Sequence, residues 1–595
     1  MKKNLKLLVS ILLAVSFSFS GFAAGKKEAS TKSEELELSI IHINDHHSKL
    51  EPSELRINIE GKQYKVDVGG YSAINHKIKE LHATRKNPLV LHAGDAIVGT
   101  LYFTLFEGAA DAAVMNEGGI DFFTLGNHEF DTGNEGLLKL LTPLKVPVVS
   151  ANVVPDKGSI LENKWKPYEI IEIEGQKIGI IGLDTVAKTV NSSSPGKDIQ
   201  FYDEVETARK YADLLTGQGI NKIILLSHGG AEKNFEIAQK VDGIDIIITG
   251  DSHYLFGNDE LRSLNLPVVH EYPMEFKSPN GNPVYVVEAW CYSYMVGNLG
   301  VKFDKDGIAT ITRKIPHFLL HDTKFTSKVD GKWTPATEDQ RKALVAKLSS
   351  LSSVSWAKDD PKTAEILAKY KKDLDELSQR VIGSITGNPM PGGSANRIPG
   401  RPGADPRGSV ATRFVAETML NQLDNVDLTI QNSGGVRADI NPGDITFADA
   451  YTFLPFGNTL YTYNMSGADI KQVLEDALDF ALTQSTGAFP YGAGIRYEAN
   501  EFPQNGKRLV KVEVQNRNTE RWEPIDDAKI YLVGTNAYIA AGKDGYATFG
   551  RLYNDPAAQG VDTFLPDAES FIKFMRNNPT FKAYTDSNVK FNVGK

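Results

Sequence analysis

Lys222-Ile223-Ile224-Leu225-Leu226-Ser227-His228-Gly229-Gly230 is the stretch on which the fold turns. An apolar, β-branched run that stops at Ser-His and then two glycines reads as a buried strand feeding a tight turn. The pattern recurs along the first half of the chain. Leu38 to Ile43 leads into Asp45-His46-His47, and Pro88 to Leu91 into Gly94-Asp95. Phe122 to Leu125 leads into Gly126-Asn127-His128-Glu129-Phe130-Asp131, and Ile244 to Thr249 into Gly250-Asp251-Ser252-His253. Val146 to Ser150 and Ile178 to Ile181 are further runs of the same kind. Amphipathic, helix-like segments separate them, and strand-helix alternation specifies a layered α/β domain.

In α/β sheets, ligands bind beyond the carboxyl ends of the strands. Taken singly, Asp45 and His47 are a strand-end cap and a surface histidine, Gly94-Asp95 is a turn, and His228 and His253 are loop residues. Taken in order, each at a strand end, they predict one metal site. The mixed oxygen and nitrogen donors suit a borderline divalent ion such as zinc, manganese or cobalt. There are more donors than one tetrahedral ion needs, so two ions about 3.5–4 Å apart, bridged by a carboxylate, are expected.

Outward from this domain, a chain of 595 residues is too long for one ordinary unit of ~150 residues. Strand-helix alternation runs over residues 36–335. Residues 336–380 are poor in glycine and rich in Lys, Ala, Leu and Glu, with a helix expected from Thr363 to Arg380 after a break at Ser349 to Ser355. From Val381 a Gly- and Pro-rich opening, Gly387 to Gly408, leads into a second mixed α/β domain, residues 381–595. Two domains joined by a helical linker is the architecture expected.

The first 23 residues read as a secretory signal peptide: Lys2, Lys3 and Lys6, an apolar stretch from Leu7 to Phe19, then small residues around Gly21-Phe22-Ala23. A periplasmic location follows, with no membrane insertion once the segment is removed. The net charge is -10, and an acidic chain without a basic block is a poor match for nucleic acid or anionic membrane. Cys291 is the one cysteine, so no internal disulfide forms, and its apolar, aromatic surroundings favour a buried thiol.

The order Asp-x-His, Gly-Asp, Gly-Asn-His-Glu-x-x-Asp, His-Gly-Gly, Gly-x-Ser-His resembles the calcineurin-like metallophosphoesterases and, more narrowly, the secreted 5'-nucleotidases and UDP-sugar hydrolases. The second half agrees through Asn432-Ser433-Gly434-Gly435-Val436-Arg437, Leu454-Pro455-Phe456-Gly457-Asn458 and Gly542-Lys543-Asp544-Gly545-Tyr546. Through Gly250-Asp251-Ser252-His253-Tyr254 the chain is most similar to family members that act on NAD in the periplasm of Gram-negative bacteria. The resemblance implies one ion held by Asp45, His47 and His253, the other by Asn127, His228 and Asp251, with Asp95 bridging. His128 is then the catalytic histidine and Asp131 its partner. Most relatives have His where this chain has Asp251, a departure that bears on metal preference.

For the second domain the resemblance implies a phosphate contact from Arg437, which follows a Gly-Gly turn, with Asn432 beside it. A second arginine is expected before Val410, where Arg397, Arg401, Arg407 and Arg413 compete; Arg397 and Arg407 are favoured. Phe456 and Tyr538 would sandwich a nucleobase, Asp544 would accept from ribose and Asn458 would meet the base edge. The implied activity is hydrolysis of NAD to AMP and nicotinamide mononucleotide, then of 5'-nucleotides to nucleosides, by a monomer. A UDP-sugar hydrolase or general 5'-nucleotidase is the neighbouring alternative. A non-catalytic periplasmic solute-binding protein is the alternative of a different class, and it has no use for a His128–Asp131 pair.

Overall fold

Alternation along the strand Leu36–Ile43 sorts the first domain into layers. Leu36, Leu38 and Ile40 project to one side, Ile41 and Ile43 to the other, the period of two that a strand imposes. The strand Pro88–His92 pairs with it in parallel and repeats the division, with Leu89 and Leu91 on one face and Val90 on the opposite one. The computed structural model describes residues 35–594 apart from 330–331, 402, 424 and 503–506; the expected signal peptide lies outside the described residues. These strands lie side by side in a ten-stranded sheet, followed in order by Phe122–Thr124 and the short Val148–Val149.

A second sheet of six strands contains Gln176–Asp184, Ile223–His228 and Ile246–Thr249 as parallel neighbours. The strand Ile223–His228 is buried along its whole length, so both its faces need cover. The first sheet supplies one cover through Leu36, Leu38, Ile40, Leu89 and Leu91. Helices Glu204–Gly217 and Ala231–Lys240 supply the other through Ala208, Ala212, Leu215 and Ile237. The polar strand ends therefore come from two packed sheets, three from one and two from the other.

The helix expected from Thr363 to Arg380 runs from Pro361 to Leu377. It is started by Asp360, whose carboxylate accepts from the Thr363 N–H at 2.9 Å, with proline in the first turn where its missing N–H costs nothing. It is docked on the first domain: Ile366, Leu367, Tyr370 and Leu374 share a cluster with Val114 and Met115.

The second domain is built on a five-stranded sheet in the order Pro490–Ala493, Leu428–Asn432, Ile530–Asn536, Thr459–Ser466, Val561–Pro566. A four-stranded and a three-stranded sheet flank it. Leu101 and Leu105, on the first-domain helix Leu101–Phe106, pack against its core beside Phe453 and Phe571. Among the described residues no helix is long and apolar enough to cross a membrane.

Candidate metal centre and nucleotide pocket

Asp45, His47, Asp95, Asp251 and His253 all have positive φ, from 49° to 77°. A non-glycine residue rarely adopts this conformation, and holding it costs about 1–3 kcal/mol. Each strand thus ends in a sharp turn that aims its side chain at a common point. Two glycines allow the loops to meet. A Cβ on Gly126 would lie 2.2 Å from Asp95 Oδ1, and one on Gly250 would lie 2.5 Å from the Ala93 carbonyl and 2.8 Å from Asp45 Oδ2.

The side chains converge. His47 Nε2 lies 2.9 Å from His253 Nε2 and 3.6 Å from Asp95 Oδ2. His253 Nε2 is 3.2 Å from Asp45 Oδ1. His228 Nε2 is 3.0 Å from Asp95 Oδ2, 3.9 Å from Asp45 Oδ1 and 3.9 Å from Asp251 Oδ1. Donor atoms of Asp45, His47, Asp95 and His253 all fall within 4.8 Å of one another. The far nitrogens of two imidazoles are fixed from behind: His228 Nδ1 is 2.6 Å from the Ala93 carbonyl and His47 Nδ1 is 3.1 Å from that of Val98. Such contacts orient a ligating imidazole.

Both side-chain polar atoms of Asn127 and His128 Nε2 are buried without a hydrogen-bond partner, and Asp95 Oδ2 and His228 Nε2 have only each other. Buried polar atoms are ordinarily satisfied, and here Asn127 Oδ1 is an acceptor left without a protein donor, close in sequence to His128. A divalent cation is the group these donors would satisfy together. Carboxylate oxygens, imidazole nitrogens and an amide oxygen fit two divalent ions with Asp95 central to both groups. Burial holds His47 well below its usual pKa, with Asp95 opposing; the neutral imidazole is the form that ligates.

His128 Nδ1 lies 2.6 Å from Asp131 Oδ2, and its Nε2 is 4.0 Å from Asp95 Oδ2. Burial alone would lower this imidazole, but Asp131 and then Asp95 outweigh it and push it up to about 9. Glu129, between them in sequence, ties the loops together: its buried carboxylate accepts from the N–H groups of Gly126, Asp95 and Ala96 at 2.7–3.0 Å.

In the second domain a cavity of ≈ 580 Å³ is lined by Arg397, Asn432, Arg437, Phe456, Asn458, Tyr538 and Asp544. Phe456 and Tyr538 are 56% and 44% exposed, large rings open to a stacking partner. Asp544 is poised between the Tyr538 hydroxyl at 3.1 Å and the Asn432 amide at 3.2 Å. Arg437 lies with its guanidinium 5.4 Å from the Phe456 ring centroid. Arg407, expected beside Arg397, is not at this cavity. Its side chain is held by Asp405, Nε to Oδ1 at 3.0 Å and an Nη to Oδ2 at 2.9 Å. Arg401 and Arg413 are likewise paired, with Glu501 and Asp586.

Four residues near these sites were not singled out by the sequence. Glu129 sat inside a recognised motif, and its role follows from loop-to-loop bonds. Lys188, on the helix Val186–Ser192, places Nζ 2.8 Å from Asp251 Oδ1. Phe564, from the second domain, lies against His253 with ring centroids 4.3 Å apart. Arg56, on the first-domain strand Ser53–Ile59, lines the nucleotide cavity.

Two packed sheets whose strand ends gather Asp, His and Asn around a buried cation site define a metallophosphoesterase. The chain belongs to the 5'-nucleotidase family of calcineurin-like phosphoesterases and is a metal-dependent hydrolase. Residues 38–255 match the calcineurin-like phosphoesterase model and residues 382–551 the 5'-nucleotidase C-terminal domain. The chain is 66% identical to the NAD 5'-nucleotidase of Haemophilus influenzae over 98% of both chains. It is 52% identical to a probable 5'-nucleotidase of Treponema pallidum over 96% of both. The solved structure of Haemophilus influenzae NAD nucleotidase matches with a TM-score of 0.90 at 68% identity, covering 94% of this chain and 100% of that one.

Proposed function

We propose that this protein is a periplasmic two-metal hydrolase that cleaves the pyrophosphate of NAD to AMP and nicotinamide mononucleotide, then dephosphorylates 5'-nucleotides to nucleosides for uptake. Zinc is the metal the donor set favours, with manganese and cobalt also suited. Asp45, His47 and His253 would hold one ion, Asn127, His228 and Asp251 the other, and Asp95 both. The observation that carries this reading is the gathering of donor atoms of Asp45, His47, Asp95 and His253 within 4.8 Å of one another, with His128 Nε2 buried, unpartnered and 4.0 Å from Asp95 Oδ2. The 66% identity to a protein named NAD 5'-nucleotidase supports the choice of substrate.

When bound, two divalent ions polarise phosphoryl oxygen and lower the pKa of water. The chain's residues do the rest. Asp131 holds His128 at Nδ1, so that Nε2 carries a proton toward the phosphoryl oxygens and the charge developing there. Phe456 and Tyr538 hold the base, Asp544 the ribose, and Arg397, Arg437 and Asn432 the phosphates. Residues 1–23 direct export, and the protein acts as a monomer.

The deciding experiment is a product analysis of NAD, nicotinamide mononucleotide, AMP and UDP-glucose incubated with enzyme and added zinc or manganese. AMP and nicotinamide mononucleotide appearing before phosphate supports the proposal. Turnover of UDP-glucose but not NAD would replace it with a UDP-sugar hydrolase. Cell fractionation tests the location and gel filtration the oligomeric state.

A further inference from the structure

The nucleotide cavity belongs to the second domain except at one residue. Arg56, on the strand Ser53–Ile59 of the metal domain, reaches it from the opposite side. Three arginines, Arg56, Arg397 and Arg437, therefore line one space whose single carboxylate among the described residues is Asp544. Asp544 is engaged by Tyr538 and Asn432. None of the three arginines is in an ion pair among the described residues, whereas Arg401, Arg407 and Arg413 nearby each have a carboxylate. Burial and then the neighbouring charge of Arg437 pull the Arg397 pKa down, with Asp544 opposing.

Arg56 is also held in place. Its guanidinium lies 5.5 Å from the Trp333 ring centroid. Lys65, its partner in the hairpin register, places Nζ 5.0 Å from the same ring. Stacking on Trp333 limits the rotamers of an exposed arginine, so less freedom is lost when it binds an anion.

We propose that Arg56 is a specificity-determining residue that binds the second phosphoryl group of a dinucleotide or nucleoside diphosphate lodged in this cavity. This rests on the reading of the cavity as the nucleotide site. One phosphoryl group is served by Arg397 and Arg437 from its own domain. A pyrophosphate extends the anion away from the clamped ribose, and the third guanidinium, entering from the other domain, is placed for that extension. Arginine suits it because its planar fork engages two phosphoryl oxygens at once.

The test compares wild type with Arg56→Ala and Arg56→Lys, metal-loaded. Steady-state kinetics are measured on NAD and AMP. Binding is measured by calorimetry with the α,β-methylene analogue of ADP, whose P–C–P bridge resists cleavage, and with adenosine. Arg56→Ala should raise KM for NAD and Kd for the analogue about tenfold or more. KM for AMP should rise less than about threefold, with adenosine binding retained. Arg56→Lys should recover part of the loss, since a point charge replaces the fork. Equal losses on NAD and AMP, a matching loss on adenosine, or an unaltered Kd for the analogue would each overturn the proposal. Should wild type leave NAD intact, the substrate reading falls, and the analogue titration still decides the role of Arg56.

Discussion

The ring of Phe564 lies 4.3 Å, centroid to centroid, from the imidazole of His253, although the two residues belong to different domains. Phe564 has a φ of 54°, a strained conformation for an aromatic residue. Lys188 Nζ sits 4.3 Å from the same ring, and the imidazoles of His128 and His47 lie 6.1 and 6.5 Å away. The second domain thus covers the metal centre with an apolar side chain. None of the residues lining its nucleotide cavity is one of the candidate metal ligands. Glu569, a few residues on, accepts from the Gly99 N–H at 3.3 Å and holds the same domain contact.

Phe564→Ala removes this cover. A small phosphate ester with no base needs access to the metals but not the nucleotide cavity. Its kcat/KM should rise by roughly 2–10-fold, the equivalent of an aromatic contact of ~0.5–1.5 kcal/mol. p-Nitrophenyl phosphate hydrolysis measures this. An unchanged rate would mean that Phe564 does not limit access.

Asp95 and His128 should fail differently. Asp95 lies within 4.0 Å of His47, His128 and His228, so Asp95→Asn should cost at least ~10³-fold in kcat together with bound metal. His128→Ala should cost ~10²–10⁴-fold and leave metal content near that of wild type. Metal analysis beside kinetics separates them: loss of metal in step with activity in the His128 variant would make it a ligand.

The candidate metal centre was legible because Asp45, His47, Asp95 and His253 lie in short motifs at strand ends, where one loop carries both the chemistry and the glycine that lets it approach. That those ends come from two packed sheets was not legible, since a fully buried run such as Ile223–Leu226 reads alike in either arrangement. Lys188, Arg56 and Phe564 stand alone in segments without a motif, and only tertiary packing brings them to the sites. Arg407 differs: Asp405, two residues before it, was a local partner that already argued against a free guanidinium. Phe456 in Pro-Phe-Gly-Asn and Tyr538 line one cavity, as their likeness to relatives led one to expect, while the covering of the candidate metal centre by the other domain depends on an orientation that periodicity does not encode.

Asp567 offers a pH test away from the metals. It opens the helix Asp567–Asn577, is fully buried, and has one oxygen without a partner. Burial raises its pKa from 3.8 to about 7. A carboxyl with a raised folded-state pKa is easiest to accommodate when protonated. Its penalty is absent below about pH 4, grows between about 4 and 7, and is complete above that, up to ~4 kcal/mol. Asp567→Asn should therefore raise Tm at pH 8 much more than at pH 4. Thermal unfolding at the two pH values decides, and an equal shift at both would show that ionisation of Asp567 does not set the cost.

The pairing of Asp251 with Lys188 explains how the site tolerates a carboxylate where the family resemblance leads one to expect an imidazole. Lys188 Nζ stands 2.8 Å from Asp251 Oδ1, and the Asp251 N–H also donates to the Asp45 carboxylate at 3.1 Å. The ammonium offsets the extra negative charge beside the metals. Asp251→His alone removes that anion and leaves the half-buried Lys188 against an imidazole and a divalent ion, a like-charge arrangement that weakens metal binding. Activity should fall about tenfold or more, although histidine is a competent ligand. Adding Lys188→Met removes the unpaired charge, and the double variant should regain most of the loss, a coupling of ~1–3 kcal/mol. The regained enzyme should also respond relatively better to zinc than to manganese, because nitrogen has replaced a hard oxygen donor. Apparent metal affinities in buffered zinc and manganese, with kcat/KM for AMP, give all the quantities of the cycle. Strict additivity of the two substitutions would show that Lys188 does not compensate Asp251.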